Sequence, residues 1–308
     1  MLLCLKNLFL PDVLNLVPMN KSIAFVFVFV IALASSCAQK KDYVVTIKTQ
    51  YGDMVAILYD ETPKHKENFI KLAKEHYYDS LLFHRIIAGF MIQTGDPNSK
   101  KAQPGEPLGM GGPDYTIPAE FNPKFFHDKG ALSAARLSDD RNPEKASSGS
   151  QFYIVQGTVI PEASINDLRY DQMKLTTGLR QIISKPENKA LLDSLNSLYY
   201  AGDIPAYQKK IFSLVPRVEK ETGTKVTKDV SPEKIKAYTT VGGAPHLDGE
   251  YTIFGKVIKG LEVIDQIAMQ QKDGSDRPIS DIRMTVTVEE ISRKKITKEY
   301  GYVYPDAK

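Results

Sequence analysis

The chain has 308 residues, 42% hydrophobic and 25% charged, an ordinary globular composition with length for one large or two small domains. A net charge of +3 over that length gives no electrostatic case for a nucleic-acid partner. The two cysteines, Cys4 and Cys37, write no disulfide framework.

Residues 1–36 read as a targeting segment. From Met19 the chain runs MNKSIAFVFVFVIALASSCAQKK, with a basic start at Lys21, an apolar run from Ile23 to Ala34, then small residues. That is the layout of a secretory signal peptide, and residues 1–18 add nothing such a signal needs, which points to Met19 as the true start. The apolar run falls short of the roughly 20 residues of a spanning helix, the alternative reading. Leu33-Ala34-Ser35-Ser36 ahead of Cys37 resembles a bacterial lipobox, whose cysteine is acylated after cleavage. The expectation is an exported protein tethered by lipidated Cys37 and residues 38–42 to a membrane of the bacterial envelope, facing the periplasm.

In chain order, YVVTIKT (43–49) and DMVAILY (53–59) read as two strands joined at Tyr51-Gly52. A helix follows in ETPKHKENFIKLAKEHYY (61–78): Thr62 can cap, Pro63 suits the first position, and Phe69, Leu72, Ala73 and His76 share a face. FHRII (83–87) and FMIQ (90–93) are short strands around Ala88-Gly89, and residues 97–123 are a Gly/Pro-rich loop. GALSAAR (130–136), SQFYIVQ (150–156) and YTIFGKVIKG (251–260) supply further strands, with a helix from Leu261 to about Gln270. In DIRMTVTVEE (281–290), Ile282, Met284, Val286 and Val288 alternate with polar residues, the pattern of one buried face. Many short strands, two helices and turn-rich loops predict a mainly β fold closed into a barrel over 43–156 and 242–291.

Residues 157–241 break that pattern. Leu191, Leu192, Leu195, Leu198 and Tyr199 fall at helical spacing behind Ser184 and Pro186. A second helix is expected from Pro205 to Val215, and a third behind a Ser231 cap with Pro232 at its first position. This is a helical insertion whose apolar stripe is a packing face, followed after the last strand by a polar tail, 292–308.

Chemistry-bearing motifs are scarce. The five histidines form no HExxH pair, and the chain lacks a G-x-S-x-G elbow, a Walker loop and a dinucleotide fingerprint. Neither a metal nor a cofactor is expected. Arg85 stands out, because an arginine inside an apolar run needs a reason to be there.

FHRIIAGFMIQTGD (83–96), GEPLGMGGPDYTIPAEF (105–121), GALSAAR, GSQFYIV (149–155) and HLDGEYTIFGKVIKG (246–260) resemble, in order, the motifs of the cyclophilin-type peptidyl-prolyl isomerases. The resemblance implies an eight-stranded antiparallel barrel capped by two helices, binding proline-containing segments of folding proteins on its outer face as a monomer. It implies that Arg85 is the catalytic arginine and that Gln93 holds it. Phe90, Met91, Leu247 and Tyr153 match the walls of the proline pocket. Gln151 matches a substrate-contacting glutamine, Ala135 and Arg136 an edge strand whose backbone pairs with the peptide, and Gly109 a glycine on the loop beside it. Three positions depart. Tyr153 stands where many members have Phe, so its hydroxyl needs a partner or water. His246 stands where the best-known members have Trp, which should weaken cyclosporin binding, and Tyr251 where they have His. The insertion, entering after SQFYIV and returning before HLDG, is expected to border the peptide groove. A proline-peptide binding module or chaperone with weak catalysis is the alternative function.

Overall fold

The computed structural model describes residues 40–161 and 164–305. Cys37 and the targeting segment lie outside them. The segment read as a tether is shorter than expected, because the first strand, β1 (Lys41–Thr49), already includes Lys41 and Asp42. Asp42 is buried there against Lys66, 2.6 Å from its ammonium.

An eight-stranded antiparallel sheet forms the body. Its strands are β1, β2 (Gly52–Leu58), β3 (Arg85–Ile87), β4 (Met91–Thr94), β6 (Ala131–Ala134), β8 (Phe152–Val155), β9 (Ile253–Lys259) and β10 (Thr285–Ser292). They lie in the order β10-β1-β2-β9-β6-β8-β4-β3, and β5 (Thr116–Ile117) pairs separately with β7 (Ser147–Ser148). The two ends of the large sheet meet just outside these spans. Ser80 N–H donates to Met284 O, Met284 N–H to Leu81 O and Phe83 N–H to Ile282 O, all at 2.9 Å. Edge groups that would otherwise face solvent are thereby paired.

Helices α1 (Pro63–Lys74) and α8 (Leu261–Ala268) fill the interior. Phe69, Leu72 and Ala73 of α1 and Val263, Ile264 and Ile267 of α8 join Val45, Ile47, Phe152, Ile154 and Phe254 in one cluster. Each of these side chains larger than alanine contributes about 1.5–3 kcal/mol by leaving water. Thr62 makes no side-chain cap. Instead Glu120 accepts from the N–H groups of Lys64 and His65, both at 3.1 Å, placing a carboxylate at the positive end of the helix. His76 is not on the buried face, since α1 ends at Lys74 and His76 sits at φ +57.

Residues 164–240 form six helices: α2 (Ile165–Arg169), α3 (Gln172–Ile183), α4 (Lys189–Tyr200), α5 (Ile204–Ser213), α6 (Val215–Thr222) and α7 (Pro232–Thr240). Leu175, Leu179, Ile182, Leu195, Val215, Val218 and Val226 make a core of their own. Of the expected leucine stripe only Leu195 is fully buried, and Tyr199 is exposed. The expected Ser231 cap is present, accepting from Lys234 N–H at 3.2 Å. The polar tail carries a ninth helix, α9 (Arg293–Tyr300), whose Ile296 is fully buried against Val44, Ile57 and Ile291.

Candidate active site

The β3–β4 hairpin turns at Ala88-Gly89, with Gly89 at φ +76, and pairs Arg85 with Gln93 and Ile87 with Met91. Across β4 and β8, Gln93 opposes Tyr153 and Met91 opposes Val155. Side chains alternate along a strand, so Ile86, Ile92, Phe152 and Ile154 enter the interior while Arg85, Met91, Gln93 and Tyr153 take the outer face. On that face Met91, Ala131, Tyr153, Val155, Ala244, Leu247 and Ile253 make a second buried cluster, with Phe90, Ala135 and Tyr251 partly buried against it.

A polar row borders this apolar surface. The Arg85 guanidinium lies 3.4 Å from Gln93 Oε1 and 3.8 Å from Asp276 Oδ2, with its side chain 43% exposed. Gln93 Nε2 donates to Gln151 Oε1 at 3.1 Å, and Gln151 Nε2 donates to Gly109 O at 2.9 Å and Gly111 O at 2.7 Å. Fully buried Asp96 holds that loop by accepting from the N–H groups of Asn98, Gly109 and Gly111. Gly109 sits at φ +100, where a side chain would be strained. The row borders an open cleft of about 550 Å³ lined by Gln93, Gly109, Arg136, Asn142 and Gln151.

The apolar wall is aromatic on two sides. The Phe90 and His246 rings are 5.3 Å apart, and Tyr153 meets Tyr251 edge-on at 5.9 Å. Arg136 lies over Tyr251, 4.5 Å from its centroid, fixed by Glu250 O at 2.8 Å and Asp139 Oδ1 at 2.6 Å. All twelve expected site residues among the described residues therefore border one face. The Ala135 backbone is already bonded within the fold: its N–H donates to Gln151 O at 3.0 Å, and its carbonyl accepts from Ser148 N–H at 2.8 Å.

The Tyr153 hydroxyl has the partner its position demanded, His127 Nε2 at 3.1 Å. His127 is in turn bonded through Nδ1 to Asp248 Oδ1 at 2.9 Å. Burial pushes His127 below the ordinary histidine range against the pull of Asp248, and burial pushes Tyr153 well up. Burial also takes His84, beneath the Gly109 loop, down to about 4 despite the attraction of Asp96. Sequence reasoning assigned nothing to Asp96, His127, Asp248 or Asp276. Asp96 and Asp248 lie inside the quoted motifs TGD and HLDG, which was the signal available.

Among the described residues no group of three or more His, Cys, Asp or Glu is placed to hold a metal. The face offers a part-exposed guanidinium, Arg85, at the edge of an apolar, aromatic surface, which suits a reaction that moves no proton.

Residues 44–169 and 227–289 match the model of the family described as cyclophilin type peptidyl-prolyl cis-trans isomerase/CLD. The chain belongs to that family and is a peptidyl-prolyl cis-trans isomerase. It is 32% identical over 77% of its length to a "Putative bifunctional phosphatase/peptidyl-prolyl cis-trans isomerase" of Streptococcus pyogenes serotype M6, and spans 37% of that longer protein. It is 30% identical to a "Putative peptidyl-prolyl cis-trans isomerase" of Staphylococcus saprophyticus, covering 76% of this chain and 85% of that one. Among solved structures, a cyclophilin type isomerase of Cryptosporidium parvum, crystallised in the presence of the dipeptide Ala-Pro, is 23% identical with a TM-score of 0.44. That match covers 80% of this chain and 98% of the other.

Proposed function

We propose that this isomerase accelerates X-Pro rotation in proteins folding in the bacterial envelope, by non-covalent catalysis with Arg85 as the donor. The observation that carries the reading is the Arg85 guanidinium, tethered by long contacts to Gln93 and Asp276 beside a buried apolar wall. Rotation about an amide costs about 18–20 kcal/mol because resonance is lost. An apolar wall of Phe90, Met91, Leu247 and Tyr153, rimmed by His246 and Tyr251, receives the prolyl ring and disfavours the charge-separated planar amide. As the bond twists, the prolyl nitrogen pyramidalises and its lone pair becomes an acceptor. A guanidinium aimed there binds the twisted state more tightly than the planar one. Even a thousandfold acceleration needs only about 4 kcal/mol. Gln93 and Gln151 hold the arginine and meet the peptide backbone, and Gly109 and the Arg136 main chain line the groove.

The compartment rests on the signal-like residues 1–36 and on Cys37. Unaided isomerisation takes tens to hundreds of seconds, long enough to limit folding of exported chains. A protease-coupled assay with an Ala-X-Pro-Phe peptide on the chain from residue 38 onward tests the chemistry. Turnover that largely vanishes in Arg85→Ala supports it, whereas peptide binding without turnover in the parent chain makes this a binding module. For the anchor, a clickable fatty acid fed to expressing bacteria should label the protein but not Cys37→Ser. Equal labelling of both would remove the lipid anchor.

A further inference from the structure

We propose that His127 and Asp248 are positioning residues that hold the proline-pocket wall through the Tyr153 hydroxyl, and that helix α7 of the insertion braces them. The inference rests on the isomerase reading of the same face. His127 is fully buried, with Nε2 3.1 Å from the Tyr153 hydroxyl and Nδ1 2.9 Å from Asp248 Oδ1. Asp248 Oδ1 also accepts from the His127 backbone N–H at 2.8 Å. Its other oxygen, Oδ2, accepts from the Tyr238 hydroxyl at 2.7 Å and lies 2.6 Å from Lys234 Nζ. Tyr238 and Lys234 both belong to α7.

The donors and acceptors in this chain allow one arrangement. A carboxylate only accepts, so the His127 proton sits on Nδ1, and the neutral ring then accepts at Nε2. The Tyr153 hydroxyl must therefore donate towards His127. Its ring is left facing Tyr251 and the apolar residues around Met91 and Leu247. A bound proline then meets an aromatic surface and no stray hydroxyl. Without that acceptor the buried hydroxyl would have to turn to its cross-strand neighbour Ser133, whose hydroxyl is otherwise unpartnered among the described residues, and the ring would shift with it.

The insertion reaches both sides of the pocket. Tyr238 is fully buried, with its ring 5.8 Å from Phe126. Its carbonyl accepts from Ile160 N–H at 2.9 Å, and Thr158 and Gly243 exchange backbone bonds at 3.3 and 3.0 Å. Just before that junction, Gln156 and Gly157 both donate to Phe90 O, at 2.9 and 3.0 Å. The base of the insertion is thus bonded to Phe90 on one wall and, through Asp248 and His127, to Tyr153 on the other. These contacts attach it to the two walls of the pocket.

The test is a double-mutant cycle on the full chain, with a proline tetrapeptide as probe. Tyr238→Phe removes one hydroxyl and keeps the ring packing, and Asp248→Asn removes the carboxylate. Each is made in the parent and in Tyr153→Phe, with kcat, KM and peptide affinity by titration measured throughout. The expected result is a rise in KM and in peptide Kd of about three- to tenfold in the parent, the scale of one hydrogen bond, with kcat less affected. In Tyr153→Phe the same substitutions should change KM by less than about twofold, because the group they act through is gone. Equal effects in both backgrounds, or unchanged KM and Kd in both, overturn the proposal. If Asp248→Asn does not fold, Tyr238→Phe decides alone. Because affinity is read separately from turnover, a parent that binds without catalysing would sink the catalytic reading and leave the cycle readable in Kd.

Discussion

Replacing Arg85 with alanine should separate catalysis from stability. In the resting structure the guanidinium makes, among the described residues, only long contacts, 3.4 Å to Gln93 and 3.8 Å to Asp276, and the side chain is 43% exposed. Solvent-screened contacts of this kind are worth under about 1 kcal/mol, so the melting temperature should move by no more than roughly 2–4 °C. Under the proposed mechanism the same group donates a charge-assisted bond to the prolyl nitrogen in the twisted state, worth about 2–4 kcal/mol. That corresponds to a loss of about 30- to 1,000-fold in kcat/KM. Arg85→Lys keeps the charge but not the planar fork that can hold Gln93 and the prolyl nitrogen together, so it should fall between the two. The protease-coupled assay gives the rates and calorimetry gives the melting temperatures. An alanine variant that keeps more than about a third of kcat/KM while folded would refute the donor role.

Asp96→Asn places an amide nitrogen against a backbone N–H whichever way it turns, since both carboxylate oxygens accept from the loop. It should cost about 2–3 kcal/mol, lower the melting temperature by several degrees and reduce kcat/KM, because Gln151 loses its fixed partners at Gly109 and Gly111. Stability should also depend on pH through His84, whose pKa is lowered to about 4 by burial. The unfolded chain binds the proton more readily, so this contribution is complete above about pH 6.5 and is lost as the pH falls towards 4, about 3 kcal/mol in all. Melting curves of His84→Gln should show a flatter decline over that window than the parent, and an identical decline would be a failure. The helical bundle can be excised where its ends meet, because Asp171 N–H donates to Val226 O at 2.9 Å and Lys228 N–H to Arg169 O at 2.8 Å. Replacing residues 172–225 with a short linker keeps Lys234 and Tyr238, so tetrapeptide turnover should stay within about twofold while refolding of a protein substrate slows more; equal effects on both would count against a role in gripping clients.

Much of this was legible in the chain. Strands such as β1 and β10 and the position of α8 followed from alternation and helical spacing, since one buried face imposes its period on the sequence. The α3 and α6 helices were missed although Leu175, Leu179 and Ile182, and Val215 and Val218, recur at helical spacing and are buried in the bundle core. The α9 helix left less to read: Ile296 is its one buried residue, in a stretch that otherwise reads as solvated charge.

The sequence by itself determined the family, the hairpin that carries Arg85 and Gln93, and the apolar character of Phe90, Met91 and Leu247. Those are properties of contiguous motifs, where a few residues in order specify a local geometry. Only the tertiary structure decided how Glu120 takes over the cap that Thr62 leaves unmade, and how Asp96 fastens the Gly109 loop. It also decided that Tyr153 is satisfied by His127, 26 positions away, and His127 by Asp248, 121 positions away. Each is a buried polar group that must find a partner, and the partner it finds is set by how the strands are brought together, which no local pattern records.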